Sequence, residues 1–374
     1  MVLLIGNYPL DRQQSMQRFG TMMLRGLTNA GVAAELIAPR PVLGRFRAAG
    51  SFLAKWLGYI DKFVLFRRQL RAALRKQPAV VHICDHSNAM YSAGIGHSPV
   101  VVTCHDLLAV RGALGEETNC PASLTGKILQ RWILRGLRRA DEVVCDSLAT
   151  ETDARRLVSR GGTPKIELVH LGLNYPFQIL PEPEVTARLA KIPGFDQTTP
   201  FVLHVGSNLR RKNRDGALRI FALSKDKWSG RLVFVGEPLT PVLRSLAERL
   251  GISGRVVEVP GASDALLEAL YNRAIAMLYP SRFEGFGWPI IEAQACGCPV
   301  ICSNAGPMPE AAGDAGLFHD PDDEAGFAAD LLRLRDPAER AIWSEKSLRN
   351  AGRFSTKEMV SQYIDIYRNL GAKL

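Results

Sequence analysis

Several features that would assign a protein to a membrane or dehydrogenase class are missing from this sequence of 374 residues. No apolar run of about 18 residues lacks charge, so no membrane-spanning helix is expected. Met1–Asn7 form a short apolar run without a basic leader or an Ala-x-Ala cleavage site, which predicts a buried first strand and no signal peptide. No G-x-G-x-x-G follows this run, and that disfavours a dinucleotide-binding dehydrogenase.

Paired cysteines are also missing. The seven cysteines are an odd number, and no C-x-x-C pair suggests a zinc site. Most of them lie inside apolar, strand-like runs, so they are predicted to be small buried thiols in a reducing cytoplasm. The sequence therefore predicts neither a metal site nor a disulfide framework.

Positive charge is unevenly distributed along the chain. Residues 1–180 carry 23 Lys and Arg against 13 Asp and Glu, which accounts for the whole formal charge of +10. The remaining residues carry equal numbers of both signs. This asymmetry predicts that the first half meets something anionic.

Short apolar runs alternate with helix-like stretches throughout the chain. Continuous apolar strands followed by helices predict parallel sheets covered on both faces, and five runs in each half predict two doubly wound α/β domains. The runs are Val2–Ile5, Val80–Cys84, Val100–Cys104, Glu142–Cys145, Ile166–Leu171, Phe201–Val205, Leu232–Val235, Val256–Val259, Ala274–Leu278 and Val300–Cys302.

Five prolines between residues 176 and 200 interrupt regular structure and mark the boundary. We therefore predict a first domain over 1–178 and a second over 179–354. Residues 355–374 carry an amphipathic helical pattern. In such folds ligands bind beyond the carboxyl ends of the strands, so functional residues are expected directly after strands, around a central cleft.

Two glutamates flank a glycine turn after the ninth apolar run. Glu284 precedes Gly285 and Gly287, Pro289 suits the first turn of a helix, and Glu292 follows within that turn. Sugar hydroxyls are hydrogen-bond donors, and a carboxylate accepts two of them with charge-assisted strength. The pair therefore predicts a sugar-binding site.

A basic cluster follows the sixth apolar run. Gly206 ends the strand, and Arg211 and Lys212 come shortly after it, with Arg210 expected to be exposed. A sugar-nucleotide diphosphate is anionic, and its leaving group gains charge as the bond breaks. Fixed cations would stabilise that transition state.

These motifs resemble the retaining glycosyltransferases of the GT-B fold known as family 4. The family signature is two glutamates separated by seven residues and followed by A-x-A-x-G-x-P-V, which Glu284, Glu292 and the segment 293–300 match. Its G-x-x-x-x-R-K-N variant matches Gly206 to Asn213. The resemblance implies two Rossmann-like domains, with the C-terminal helix returning to the first.

The resemblance also implies the roles of individual residues. Glu284 would hold the donor-sugar hydroxyls, Glu292 the ribose hydroxyls, and Lys212 with Arg211 the pyrophosphate. The implied catalytic residues are Glu284, Lys212, Arg211 and His105, and the implied donor-binding residues are Gly206, Gly285, Phe286, Gly287, Glu292 and Glu310.

Polar residues after strands of the first half are predicted to lie on the acceptor side. They are Asp85, His86 and Asp106. The family often has a G-G turn after the first strand, which is absent here, so Ser15 is expected to begin the helix and present its backbone N–H instead.

Residues 40–76 combine ten Lys and Arg with one acid, Asp61, and several interleaved aromatics. This pattern is typical of an interfacial helix on anionic lipid, which would place the protein on the inner face of the cytoplasmic membrane. The same pattern occurs in core-facing helices with solvated basic sides. No nucleic-acid-binding motif accompanies it, so no nucleic-acid partner is predicted.

The expected activity is transfer of a hexosyl unit, with retention and without metal or cofactor, to a glycan or lipid-linked acceptor. GDP-mannose, UDP-glucose and UDP-N-acetylglucosamine all remain open as donors. Two alternatives also remain open: an inactive sugar-nucleotide-binding subunit, and a non-hydrolysing sugar-nucleotide epimerase of related fold.

Overall fold

The computed structural model describes residues 1–11, 13–46, 52–118, 120, 122–159 and 161–374, without the side chains of 52–55. These residues divide into two compact units. The first comprises Met1–Asn174 and Thr356–Leu374, and the second comprises Tyr175–Ser355.

The first unit is built on a six-stranded parallel sheet in the order β2-β1-β3-β4-β5-β6. Its central strands are fully buried because helices cover both faces. The strands are β1 (Val2–Ile5), β2 (Ala34–Ile37), β3 (Val80–Ile83), β4 (Val100–Cys104), β5 (Glu142–Cys145) and β6 (Lys165–Leu168). The helices are α1 (Gln14–Asn29), α2 (Phe52–Ile60), α3 (Phe66–Leu74), α4 (Leu108–Ala113), α5 (Leu124–Leu137) and α6 (Leu148–Leu157).

The second unit contains another six-stranded parallel sheet, in the order β12-β11-β10-β7-β8-β9. This is the strand order of a Rossmann dinucleotide-binding fold. Its strands are β7 (Phe201–Gly206), β8 (Arg231–Gly236), β9 (Val256–Pro260), β10 (Ala276–Tyr279), β11 (Val300–Ser303) and β12 (Gly316–His319). Its helices are α7 (Glu182–Leu189), α8 (Arg214–Leu223), α9 (Pro241–Arg249), α10 (Asp264–Arg273), α11 (Trp288–Ala295), α12 (Met308–Ala312), α13 (Glu324–Arg333) and α14 (Pro337–Ala351).

The prediction of two doubly wound parallel sheets is confirmed, but each sheet has one strand more than the sequence indicated. The additional strands are β2 and β12, and both lie at a sheet edge. An edge strand is only partly covered, so it need not be a continuous apolar run. Accordingly, β2 includes Glu35 and is mostly half-buried, and β12 ends in His319.

The C-terminal helix α15 (Thr356–Asn369) packs within the first unit, as predicted. The hydroxyl of Tyr367 lies 2.7 Å from Nδ1 of His82 on β3, and the hydroxyl of Tyr363 lies 2.7 Å from that of Thr103 on β4. A Cβ at Gly26 would lie 2.4 Å from Val360, so glycine permits the close approach of α1 and α15.

The basic segment forms a continuous helical stretch in which α2 and α3 are joined by a π-helical turn, Asp61–Leu65. Residues 47–51 of the predicted interfacial segment 40–76 and the side chains of residues 52–55 lie outside the described residues. None of the helices in the described part of the chain combines the length and apolar character needed to cross a bilayer.

Strand order brings particular loops together. In the second unit β7 and β10 are neighbours, and the chain leaves them in opposite directions. Such a switch point opens a crevice at the carboxyl ends of the strands, where ligands of this fold bind. The loop after β7 carries Lys212 and the loop after β10 carries Glu284.

Candidate donor site and the polar cluster of the first unit

Glu284 lies between two cations at the switch point of the second unit. Its Oε1 atom accepts a hydrogen bond from Nζ of Lys212 at 2.6 Å, and its Oε2 atom accepts one from Nη1 of Arg211 at 2.5 Å. The side chains of Glu284 and Lys212 are 6% and 12% exposed. The structure therefore brings these three predicted site residues into one cluster.

The electrostatics of this cluster follow from burial and charge. Burial alone would raise the pKa of Glu284, but the charges of Lys212 and Arg211 outweigh it and bring that pKa to about 2. Burial also lowers the pKa of Lys212, against the opposing effect of Glu284. The carboxylate is therefore ionised at neutral pH.

Backbone and side-chain contacts join the two loops that carry this cluster. The N–H of Arg282 donates to the carbonyl of Arg211 at 2.7 Å. Asn213, whose φ is 51°, donates from Nδ2 to the carbonyl of Pro280 at 2.9 Å. A Cβ at Gly206 would lie 3.3 Å from the Lys212 side chain, so glycine at this position leaves space for that side chain. The cations are thus held by local structure on both loops.

Asn213, the last residue of the G-x-x-x-x-R-K-N match, and Arg214, which the sequence did not indicate, also support this loop. Arg214 donates to the carbonyl of Glu237 at 2.7 Å, to Oδ1 of Asn208 at 2.8 Å and to the carbonyl of Gly206. Together Asn213 and Arg214 anchor the start of α8. The sequence contains the segment Arg211-Lys212-Asn213-Arg214, but nothing in it indicated which groups the side chains of Asn213 and Arg214 would contact.

A tyrosine completes the cluster. The hydroxyl of Tyr279, the last residue of β10, donates to Oε1 of Glu284 at 2.7 Å and accepts from Nζ of Lys212 at 3.0 Å. The Lys212 ammonium also lies 5.2 Å from the centre of the Tyr279 ring. In the sequence, Tyr279 directly follows the predicted strand Ala274–Leu278, and that position alone predicted no role for it.

The second motif glutamate, Glu292, lies in α11 and is 4% exposed. Its Oε2 atom accepts a hydrogen bond from the hydroxyl of Tyr271 on α10 at 3.1 Å. Gly287 caps α11 with φ of 104°, a conformation that favours glycine. The glycine turn therefore ends at the helix that carries Glu292. The prediction that Glu292 lies in the first turn was wrong: α11 already begins at Trp288, so Glu292 is its fifth residue and lies in the second turn.

The remaining predicted donor-site residues lie near these elements in different roles. The Phe286 side chain is buried, with its ring centre 5.6 Å from that of Phe354 in a T-shaped arrangement, so the ring packs in the unit's interior. Gly285 lies in the loop before α11. Glu310 is half-buried in the five-residue helix α12, after β11.

The first unit has its own polar cluster at the ends of β1 and β3. Nδ2 of Asn7 donates to a carboxylate oxygen of Asp85, and the Ser87 N–H donates to the other oxygen at 3.0 Å. Nδ1 of His86 lies 3.1 Å from that second oxygen. Burial favours a neutral His86, but Asp85 outweighs it and raises the pKa of the imidazole. Asp85 and His86 are therefore in contact.

His105 has a partner at each ring nitrogen. Nδ1 lies 2.9 Å from Oδ2 of Asp146, and Nε2 lies 3.0 Å from the carbonyl oxygen of Cys84. His105 and Asp146 are both buried. The sequence reading missed Asp146, although its position directly after β5 was the available signal.

The other residues predicted on the acceptor side occupy two helix starts. Asp106 accepts at Oδ1 from the N–H of Leu108 at 3.0 Å, so it orients the backbone that begins α4. Ser15 is exposed in the first turn of α1.

Carboxylates with D-x-D spacing, a pattern that was not expected near a strand end of this sequence, occur directly after β12 at Asp320 and Asp322. Asp322 pairs with Arg282, and Asp323 caps α13. Within the described ranges no group of three or more His, Cys, Asp or Glu side chains is arranged to hold a metal ion.

Two family models match the chain. One described as "Glycosyl transferases group 1" matches residues 186–349, and one described as "Glycosyltransferase Family 4" matches residues 16–175. Together they cover both units.

Curated relatives match at moderate identity. O-antigen chain mannosyltransferase B of Escherichia coli is 35% identical over 175 residues, which is 46% of this chain and 46% of that protein, so the match spans about half of its length. D-inositol 3-phosphate glycosyltransferase of Acidothermus cellulolyticus is 30% identical over 325 residues, which is 80% of this chain and 70% of that protein.

Solved structures share the fold at lower identity. Sucrose-phosphate synthase of Thermosynechococcus elongatus superposes with a TM-score of 0.76 at 21% identity, covering 99% of both chains. HepE of Anabaena, solved in complex with UDP and glucose, superposes with a TM-score of 0.71 at 15% identity, covering 98% of both.

Proposed function

The chain belongs to the glycosyltransferase family described as glycosyl transferases group 1, and on that premise we propose its reaction. It transfers a hexosyl unit from a nucleotide-diphosphate sugar to a hydroxyl of a glycan or lipid-linked acceptor, with retention at the anomeric carbon. GDP-mannose, UDP-glucose and UDP-N-acetylglucosamine are the donors to be distinguished.

One observation carries this proposal: Lys212, Arg211 and Glu284 form a single, partly buried cluster at the switch point of the second unit. A cation pair fixed by a carboxylate is already oriented before any anion arrives. A pyrophosphate bound there would share the cations with Glu284, and the sugar it carries would lie within reach of that carboxylate. Such preset charge stabilises a leaving group more than a ground state.

The proposed reaction follows a front-face route. The bond between the anomeric carbon and the β-phosphate oxygen breaks, and the acceptor oxygen forms its bond on the same face. The acceptor's proton passes to the departing phosphate. Lys212 and Arg211 would stabilise the negative charge that develops on the phosphate, so no protein nucleophile and no metal or cofactor is required in this proposal.

The first unit supplies groups suited to an acceptor that presents hydroxyls. Asp85 and His86 are in contact after β3. His105 follows β4 and Asp146 follows the neighbouring strand β5, and these two residues are also in contact. We assign the acceptor to this unit because these polar groups are concentrated at the carboxyl edge of the sheet.

Anionic lipid is the proposed surface for residues 40–76. Trp56, Ile60 and Val64 follow one another at four-residue spacing along the helical stretch and are 49%, 38% and 56% exposed. Residues three and four apart share a helix face. Arg68 and Arg71 are also exposed, one turn further along. An exposed apolar stripe that continues into cations suits the interface of an anionic bilayer.

The test is a screen of purified protein against GDP-mannose, UDP-glucose and UDP-N-acetylglucosamine. Binding is read by thermal shift, and slow donor hydrolysis is read by release of the nucleoside diphosphate, with and without EDTA. We expect one donor to bind and be hydrolysed, and EDTA to have no effect.

Other outcomes separate the alternatives. Binding without any hydrolysis or transfer would favour an inactive sugar-nucleotide-binding subunit. Conversion of the sugar to its epimer would favour an epimerase. Binding of none of the three would contradict the proposed donor site.

A further inference from the structure

We propose that two buried tyrosines, Tyr279 and Tyr271, are positioning residues that orient the two motif carboxylates, Glu284 and Glu292, toward separate parts of the donor. Tyr279 serves the sugar and pyrophosphate end, and Tyr271 serves the ribose end. This inference rests on the proposed function, because it requires that the two carboxylates contact a nucleotide-diphosphate sugar.

The two contacts have the same chemistry but come from different elements. Tyr279 ends β10 and donates to Glu284 at 2.7 Å, whereas Tyr271 lies in α10 and donates to Glu292 at 3.1 Å. Both tyrosines are fully buried. Each glutamate of the motif is thus paired with its own phenol, although neither phenol belongs to the spacing that identifies the motif.

Both hydroxyls remain donors throughout the neutral range. Burial, reinforced by the adjacent carboxylates, raises the pKa of Tyr279 and of Tyr271 well above the usual value. A protonated phenol beside a carboxylate donates its hydrogen bond in one direction only. Each tyrosine therefore fixes one carboxylate oxygen and limits the rotation of that side chain.

Glu284 is constrained by three protein donors. Lys212, Tyr279 and Arg211 supply three hydrogen bonds to it, and a carboxylate offers about four acceptor positions. One position is then left for a sugar hydroxyl, in a direction that the three protein donors determine. Without the Tyr279 hydroxyl, the Lys212 ammonium loses one neighbour and Glu284 loses one constraint.

The carboxylate of Glu292, on α11, accepts a hydrogen bond from the hydroxyl of Tyr271, on α10. Tyr271 in turn packs against Phe177, with ring centres 5.8 Å apart in a T-shaped arrangement. The phenol is therefore fixed by packing as well as by its hydrogen bond. A carboxylate held in this way can receive ribose hydroxyls without first paying the entropy of ordering its own side chain.

The experiment compares ribose and dideoxyribose nucleotides. Wild-type protein is titrated calorimetrically with GDP and UDP, and then with the 2′,3′-dideoxy form of the tighter ligand. Tyr271→Phe should weaken binding of the ribose nucleotide about tenfold, the effect of losing one hydrogen bond to a charged group. It should leave binding of the dideoxy nucleotide within about twofold of wild type, because that ligand has no hydroxyls for Glu292.

Tyr279→Phe should give the opposite pattern. The ratio of ribose to dideoxy affinity should stay at the wild-type value, and turnover of GDP-mannose or UDP-glucose, whichever the enzyme uses, should fall about tenfold. The two substitutions remove the same atom, so each serves as the control for the other.

Tyr367→Phe controls for the loss of a buried hydroxyl. The Tyr367 hydroxyl lies 2.7 Å from Nδ1 of His82 in the first unit, whereas both glutamates belong to the second unit. This variant should lose stability without changing the nucleotide ratio or turnover, and the thermal midpoints of all three variants show that they are folded.

Two results would overturn the inference in distinguishable ways. If wild-type protein binds the nucleotide and discriminates the dideoxy form, but Tyr271→Phe retains that discrimination, the positioning role is wrong while the proposed function stands. If wild-type protein binds neither GDP nor UDP, the proposed function and the inference both fail.

Discussion

His105 and Asp146 form a buried pair in which Nδ1 of the imidazole lies 2.9 Å from Oδ2 of the carboxylate. The other ring nitrogen, Nε2, lies 3.0 Å from the carbonyl oxygen of Cys84. A carbonyl only accepts, so Nε2 carries a proton, and a second proton must lie between Nδ1 and Asp146. The pair therefore holds one proton more than a neutral imidazole facing an ionised carboxylate.

This pair predicts how stability depends on pH. Burial opposes a charged imidazole, but the hydrogen bond and charge of Asp146 outweigh it and raise the pKa of His105, with Asp85 acting in the same direction. A raised pKa gives stability that is complete below the unfolded value of about 6.5 and is lost as pH rises toward the folded value. We expect the free energy of unfolding to fall as the pH rises above about 6.5 in urea titrations.

Asp146→Asn should make that fall shallower, because the amide cannot hold the shared proton. His86, whose pKa is also raised, should preserve part of the slope. Asp365→Asn, at a position 62% exposed in α15, is the matched control and should leave the slope unchanged. An unchanged slope in Asp146→Asn would assign the wild-type dependence to other groups.

Lys212→Ala should lower turnover by about 100-fold, the usual effect of removing one preset charge donor at a transition state. The alanine also leaves Glu284 with fewer cations, so binding of the anionic donor should weaken. Steady-state kinetics with the identified donor give both quantities.

Arg210→Ala is the control for this substitution, since Arg210 is an exposed cation two residues away in the same turn. It should retain turnover close to wild type. Wild-type turnover in Lys212→Ala would remove the lysine from the mechanism.

Glu284→Ala should distinguish the contribution of the sugar to binding affinity from that of the nucleotide. Removing this carboxylate takes away the predicted partner of the sugar hydroxyls, but it leaves Lys212 and Arg211 available to a diphosphate. We expect calorimetry to show that the nucleoside diphosphate still binds, while the extra affinity contributed by the sugar disappears. Glu248→Ala, at an exposed position in α9, should change neither. Equal weakening of both ligands would contradict this division of roles.

Asp61→Asn should destabilise the first unit by about 2 kcal/mol, because an amide cannot accept all the hydrogen bonds that the buried carboxylate accepts. Asp61 accepts hydrogen bonds from the hydroxyl of Tyr8 at 2.6 Å and from the backbone N–H groups of Val42, Leu43 and Gly44. An amide would turn its own N–H group toward some of these donors. Urea unfolding measures the loss.

Asp11→Asn is the matched control in the same region. Asp11 pairs with Lys62 at 2.9 Å near the surface, where an ion pair contributes at most about 1 kcal/mol. If the two variants lose the same stability, Asp61 does not anchor this segment.

Replacing Trp56, Ile60 and Val64 together with serine should abolish binding to vesicles that contain phosphatidylglycerol at low salt. The physical reason is loss of the exposed apolar stripe beside the cations. Co-sedimentation with vesicles measures binding, and neutral phosphatidylcholine vesicles test the contribution of charge. The wild-type protein should bind the anionic vesicles and release them as salt rises.

Serine at Val242 and Ile342 provides the control, since these exposed apolar residues lie in the second unit. Their replacement should leave vesicle binding intact. A wild-type chain that does not sediment with anionic vesicles would contradict the proposed lipid surface.

Local sequence patterns predicted where the motif residues of the second unit lie relative to its strands. The strand after which each motif residue falls was recognisable, because central parallel strands are buried on both faces and read as continuous apolar runs. Gly287 and Pro289 also marked the start of α11 correctly. Glu284 and Lys212 could be assigned to one predicted donor site only because their motifs resemble a family.

The partners that fix these residues could not be predicted. Tyr279 and Tyr271 reach Glu284 and Glu292 across turns and between helices, and no spacing rule connects a phenol to a carboxylate in another element. The same holds for Asp146, which meets His105 because β4 and β5 are neighbours in the sheet. In the sequence, Asp61 is the single acidic residue of a basic segment. In the fold, its carboxylate accepts hydrogen bonds from four donors.

By itself the sequence determined the alternation of buried strands and helices, the strand ends that polar residues follow, and the glycine and proline positions of the predicted donor motif. These depend on residues close together in the chain, through burial and backbone preference. Only the tertiary structure decided the edge strands β2 and β12, the order of strands and the pairing of buried polar side chains. Those depend on which distant segments become neighbours, and a hydrogen bond of about 3 Å is set by that packing and by no local pattern.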